Sequence, residues 1–167
     1  MLTAEKVRSL FIYSSESGEL IWAVDVLGAR RNRIYHAAGT RADHPMGRYR
    51  SVSINGARYK AHKLIWLHVH GVWPSAEIDH INRDGHDNRL SNLREATRAQ
   101  NQANRSKHKR NTTGFKGVFL RCDGKAWCAY LTVDRKVHRL GSFPTPEQAA
   151  AAYQEAARVY HREFAFF

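Results

Sequence analysis

The sequence predicts an α+β protein built from two small units. Three observations lead there. Short strand signals and short helix signals follow one another along the chain without a long uniform run. A polar, strongly basic stretch at 106–112 has the composition of a linker. The 167 residues, 43% of them hydrophobic, suffice for one or two modest cores.

The N-terminal residues 3–12 are predicted to form a helix, with Thr3 as its cap and Val7, Leu10 and Phe11 on one stripe. A turn at 16–19 leads to a strand at 20–22. Residues 28–48, rich in Gly, Arg, Asn and His, show little periodicity and read as a basic loop, disordered or laid on its partner. Strand signals return at 49–54 and 57–60, joined by Asn55-Gly56, a strong two-residue hairpin signal. Residues 62–70 have helical apolar spacing and stop at Gly71. A β-like run ends at Asp79-His80, and a polar loop follows. Thr97 and Gln100 stand at capping-box spacing and open a helix expected to run to about Arg105.

Beyond the basic stretch, residues 116–121, 127–134 and 136–143 read as three strands, with Asp123-Gly124 and Asp134-Arg135 as turns. Thr145-Pro146-Glu147-Gln148 opens a helix as a second capping box with Pro at its first position. Its expected buried stripe is Ala149, Ala152, Tyr153, Ala156 and Tyr160. A three-stranded sheet covered by one helix leaves its other face able to bind.

The net charge of +12 and pI of about 10.2 point to a polyanion partner, although a basic ribosomal or structural protein shares that composition. Cys122 and Cys128 are too few for a disulfide scaffold or a four-thiolate zinc site and read as free thiols in a reducing compartment. No apolar run approaches a membrane span, and the first residues lack the apolar core of a secretion signal. The expectation is a soluble protein that stays where it is made.

The chemistry concentrates at 78–101. Phosphodiester hydrolysis needs an activated water, stabilisation of charge on the phosphate and help for the leaving oxygen. A hard divalent cation does the last two and needs only one or two protein oxygens, such as Asp79 and an asparagine carbonyl. His80 suits a general base, and the amide of Asn92 could hold its second ring nitrogen. Neighbours on a regular strand point to opposite faces, so Asp79 and His80 can meet one phosphate only if the strand ends or bends there. His62 and His70 read as packing or capping residues, and His86 as a loop histidine.

Ala61-His62-Lys63-Leu64-Ile65-Trp66, His70-Gly71, Ile78-Asp79-His80-Ile81-Asn82, Asp87-Asn88-Arg89, Asn92-Leu93-Arg94 and Gln100-Asn101 together resemble the HNH endonucleases of phages, in particular the homing type. The resemblance covers roughly 2–105, with the core at about 60–105. It implies a ββα-metal fold and a DNA endonuclease or nickase. In that reading His80 is the base and Asn92 orients it. Asp79 and Asn101 hold one divalent metal, Mg²⁺ or Mn²⁺, with no zinc. Asn88 and Asn104 are the alternatives to Asn92 and Asn101. The third motif position is Asn here, where other branches carry His.

Thr113-Gly114-Phe115-Lys116-Gly117-Val118, Trp127-Cys128-Ala129, His138-Arg139-Leu140-Gly141-Ser142-Phe143 and the run from Thr145 to Tyr153 resemble the AP2 DNA-binding domain over 113–167. That resemblance implies a sheet laid in the major groove of double-stranded DNA. Arg105, Lys107, Lys109, Arg110, Lys116, Arg121 and Arg139 are the expected DNA contacts. No membrane and no small-molecule cofactor are expected. The protein would be a monomer or homodimer in the cytoplasm, that of a bacterial host if phage-encoded. The alternative reading is a regulatory DNA-binding protein with an inert HNH core.

Overall fold

Thr3 accepts a hydrogen bond from Lys6 N and starts α1 (Ala4–Leu10), in a computed structural model that describes residues 2–28, 34–107 and 110–167. The helix stops before Phe11, which turns extended and opens β1 (Phe11–Ser14). The strand pairs antiparallel with β2 (Glu19–Trp22), Phe11 opposite Trp22 and Ser14 opposite Glu19. The helical reading of Phe11 is therefore corrected. Its ring packs 4.6 Å from that of Trp22, and this long-range pairing overrides a local spacing that suits either state.

The stretch expected as basic loop also carries strands. β3 (Val26–Leu27) pairs with β4 (Ile34–His36), and β5 (His44–Met46) joins the next hairpin. Strands of two or three residues are too short to leave a periodic signal. Residues 29–33 of that expectation lie outside the described residues.

The hairpin of β6 (Tyr49–Ile54) and β7 (Ala57–Lys60) has its predicted bounds. Asn55 and Gly56 take φ of 50° and 78°, the left-handed pair that a two-residue turn between twisted strands requires. α2 (Ala61–His70) follows at once and ends at Gly71, whose N–H bonds Leu67 O. Leu64, Ile65 and Leu67 of α2 meet Val7, Phe11, Leu20, Trp22 and Val52 in one core. Each such side chain contributes roughly 2 kcal/mol by leaving water. Asp43, buried beside this core, is held by the guanidinium groups of Arg41 and Arg50 and by Leu20 N. β8 (Glu77–His80) and β9 (Leu93–Ala96) form a two-stranded sheet around the polar loop.

Thr97 and Gln100 make both bonds of the predicted capping box at the start of α3 (Arg98–Ala103). β10 (Val118–Leu120), β11 (Trp127–Val133) and β12 (Lys136–Phe143) form an antiparallel meander in that order. α4 (Pro146–His161) is capped by Thr145, whose hydroxyl accepts from Gln148 N. It lays Ala149, Ala150, Tyr153 and Ala157 on Val118, Ala129 and Leu131. The expected stripe is thus rotated, and Tyr160 is 54% exposed. Alanines let the helix approach the sheet closely. A Cβ at Gly117 would stand 2.3 Å from the Tyr153 ring, which explains the glycine there.

Contacts divide the chain into Met1–Glu95 and Ala96–Phe167, ten residues before the expected limit of the first domain. The reason is local. Ala96 and Ala103 share a small core with Phe164, and Lys116 Nζ donates to Ala103 O and Arg105 O. α3 is thereby tied to the C-terminal unit. No helix among the described residues is long and apolar enough to cross a membrane.

Candidate functional site

The loop between β8 and β9 is stapled by its own polar side chains. Asn82 Nδ2 donates to Asp87 Oδ2, and Asn82 Oδ1 accepts from Asp84 N and Asn92 Nδ2. Asn92 Nδ2 also donates to Asp87 O, while Asn92 Oδ1 accepts from Asn82 N. Asn92 thus closes the loop and leaves His80 to another residue. Arg89 forks onto Asp87 and holds that carboxyl down at about 2. Gly85 faces Arg48 O so closely that a Cβ would lie 1.9 Å from it. His86, expected as a solvated loop residue, points its Nε2 at Gly47 O, 3.1 Å away.

His80 ends β8 and is 4% exposed. Its Nε2 lies 2.9 Å from Asn88 Oδ1. The expected pairing of Asn92 with His80 is corrected on this geometry: Asn88, the alternative, makes the bond. An amide oxygen only accepts, so His80 Nε2 carries the proton and Nδ1 carries the lone pair. The His80 ring also meets His62 edge-on, at 5.1 Å, and Tyr49 at 5.8 Å. Burial pulls the His80 pKa below the ordinary histidine value, against the opposing effects of the Asn88 bond and the charges of Asp79, Asp84 and Asp87. The imidazole is therefore neutral at physiological pH.

His62, from the first turn of α2, is 2% exposed and pushed down to about 3 by burial and by the charges of His80, Lys60 and Lys63. It packs, as expected, against Tyr49 and His80. Among the described residues His62 Nδ1 and Asn88 Nδ2 are buried without a hydrogen-bond partner. Each orphan costs on the order of 1–3 kcal/mol.

Asp79 precedes His80 on β8 and is also buried. Its Oδ2 accepts from Arg94 Nε of β9 at 3.0 Å and forms an ion pair with the same guanidinium, Nη2 standing 2.9 Å away. The two neighbours thus turn to different partners, Asp79 to Arg94 and His80 to Asn88. Asn101 lies half-buried on α3 and Asn104 is buried at its end, both in the second unit. Among the described residues no three His, Cys, Asp or Glu side chains form a metal-ligand cluster.

The expected DNA contacts fall into distinct settings. Arg105 and Arg110 are exposed, and Lys109 lies outside the described residues. Lys107 Nζ donates to Gly114 O. Arg121 pairs with Asp123, and Arg139 Nη2 donates to Ser142 Oγ at 2.7 Å on β12. Lys116 Nζ donates to the carbonyls of Ala103, Arg105 and Phe166 at 2.5, 2.9 and 3.1 Å. Three donors on three carbonyls make Lys116 a tie within its own unit.

Arg94, quoted within Asn92-Leu93-Arg94, was given no role by the sequence reading. Strand pairing across the loop could have found it, because β9 must supply a neighbour to a buried carboxylate. Tyr49 carries no such signal.

A family model described as HNH endonuclease matches residues 59–103. The chain is 33% identical over 113 residues to Protein 3.8 of Escherichia phage T7, a match spanning 65% of this chain and 93% of that protein. It is also 33% identical over 116 residues to an uncharacterized HNH endonuclease of Acanthamoeba polyphaga mimivirus, over 68% of this chain and 59% of that protein. No solved structure matches the chain significantly.

Proposed function

We propose that this chain, which belongs to the HNH endonuclease family, hydrolyses phosphodiester bonds of double-stranded DNA with His80 as general base. The observation that carries the reading is the buried, neutral His80 held through Nε2 by Asn88, beside the buried carboxylate of Asp79.

HNH nucleases generally use a divalent metal, and carboxylate and amide oxygens are the donor types that suit a hard one. Asp79 offers carboxylate oxygen and Asn101 an amide oxygen. Mg²⁺ accepts such ligands while keeping several waters. Bound there, it would stabilise charge on the phosphate and the leaving oxygen. Asp79 and Asn101 are the proposed holders, with Arg94 fixing the Asp79 carboxylate through Oδ2.

The protein's own part is proton transfer. Asn88 holds Nε2–H, so the lone pair sits on Nδ1, the nitrogen that takes the proton from the attacking water. Burial keeps the ring unprotonated and ready at neutral pH. Asn92 shapes the loop that carries Asn88.

The second unit is proposed as the DNA-holding module. A three-stranded sheet covered on one face by α4 supports this, with Arg139 on β12 and the basic stretch 105–110 earlier in the sequence of the same unit. Lys116 is left out, since its ammonium is spent on carbonyls. The test is supercoiled plasmid incubated with the protein and Mg²⁺, beside an EDTA control. Conversion to nicked or linear DNA that EDTA abolishes is expected; binding without conversion contradicts the reading.

A further inference from the structure

The N-terminal hairpin, outside the matched segment 59–103, ends on the loop that orients His80. Tyr13 of β1 places its hydroxyl between two backbone groups 75 and 77 residues further along. It donates to Asn88 O at 3.1 Å and accepts from Leu90 N at 2.8 Å. One hydroxyl serves both, giving its proton to one and a lone pair to the other. Gly18, in the turn of the same hairpin, lies against the same backbone. A Cβ there would stand 2.5 Å from Arg89 N and 2.6 Å from Asn88 C, and its φ of +73° is itself unfavourable for other residues.

The hairpin is anchored on α2. His68 Nε2 bonds Phe11 O at 3.1 Å, and Arg8 Nε donates to His68 O at 2.8 Å. Gly18 N closes the turn on Ser14 O. α2 also carries His62, whose ring meets His80. Two neighbours of the His80 ring are therefore referred to one frame: His62 directly, and Asn88 through Tyr13 and Gly18. Local sequence gives no hint of this, because the contacts span most of the first unit.

We propose that Tyr13 is a positioning residue, which fixes the Asn88 backbone and through it the orientation of His80, and that Gly18 is a glycine so that the hairpin can reach that backbone. This rests on the reading of His80 as the base.

Tyr13→Phe removes only the hydroxyl. The expected result is single-turnover nicking about 10–100-fold slower, with DNA affinity within about twofold of wild type. The His80 Nε2–H proton resonance is expected to exchange slowly in the wild type and to broaden in the variant. Gly18→Ala should lower the rate in the same way. An unchanged rate at equal binding, or an unchanged His80 resonance, overturns the proposal. If the wild type binds DNA and never cuts it, the nuclease reading fails, and the resonance alone decides whether Tyr13 positions His80. Should Tyr13→Phe not fold, exchange of the Leu90 amide in the wild type decides instead. Slow exchange supports the bond to Tyr13, and fast exchange overturns it.

Discussion

Asn88 Oδ1 lies 2.9 Å from His80 Nε2, and Asn88 has no exposed surface at all. Asn92, four residues on, makes three bonds to the loop instead. The two asparagines therefore separate in experiment. Asn88→Ala is expected to slow cleavage about 10–100-fold with little change in DNA affinity, because the ring loses its orientation. Asn92→Ala is expected to lower stability by about 2 kcal/mol, through broken buried hydrogen bonds. Single-turnover cleavage and denaturant unfolding, run on both variants, check the division.

Buried His62 makes stability fall in mild acid. Its folded pKa of about 3 lies below the ordinary 6.5. As pH drops below 6.5, the unfolded chain takes up a proton that the folded chain refuses, so stability falls until pH nears 3. The slope for this group is about 1.4 kcal/mol per pH unit. Denaturant midpoints of His62→Phe between pH 8 and pH 4 should lack that part of the wild-type loss.

Gly85 faces Arg48 O with no room for a side chain. Gly85→Ala is expected to push the loop off β6, to cost roughly 1–3 kcal/mol, and to depress cleavage with it. Thermal unfolding and nicking assays on the same preparation check both.

Lys116 and Arg139 were alike in the sequence and are not alike in the fold. Lys116→Ala removes an ammonium from three carbonyls and should lower stability by about 2 kcal/mol. Arg139→Ala should leave stability nearly unchanged and weaken DNA binding, lowering the salt slope by about 1. Binding titrations at several salt concentrations distinguish the two.

What was legible in the sequence had local causes. Asn55-Gly56, the Thr97–Gln100 box and the meander with α4 are written in turn residues, caps and short-range alternation, and the structure carries them. Asp79 and His80 were singled out because they stand in a segment of ordered motifs, and the structure buries both. Contacts across the chain were not. Phe11 takes its state from Trp22, and Asn88 its place from a hairpin some 75 residues earlier. The rotation of α4 follows from which alanines fit the sheet, a matter of packing that helical spacing leaves open.

The most direct test is the single-turnover nicking rate of bound DNA in Mg²⁺, compared between wild type and His80→Ala at equal occupancy. The variant should bind as the wild type does and lose cleavage by about 100-fold or more, the contribution of a positioned base. A His80→Ala protein that cuts bound DNA at the wild-type rate would contradict the account at its centre.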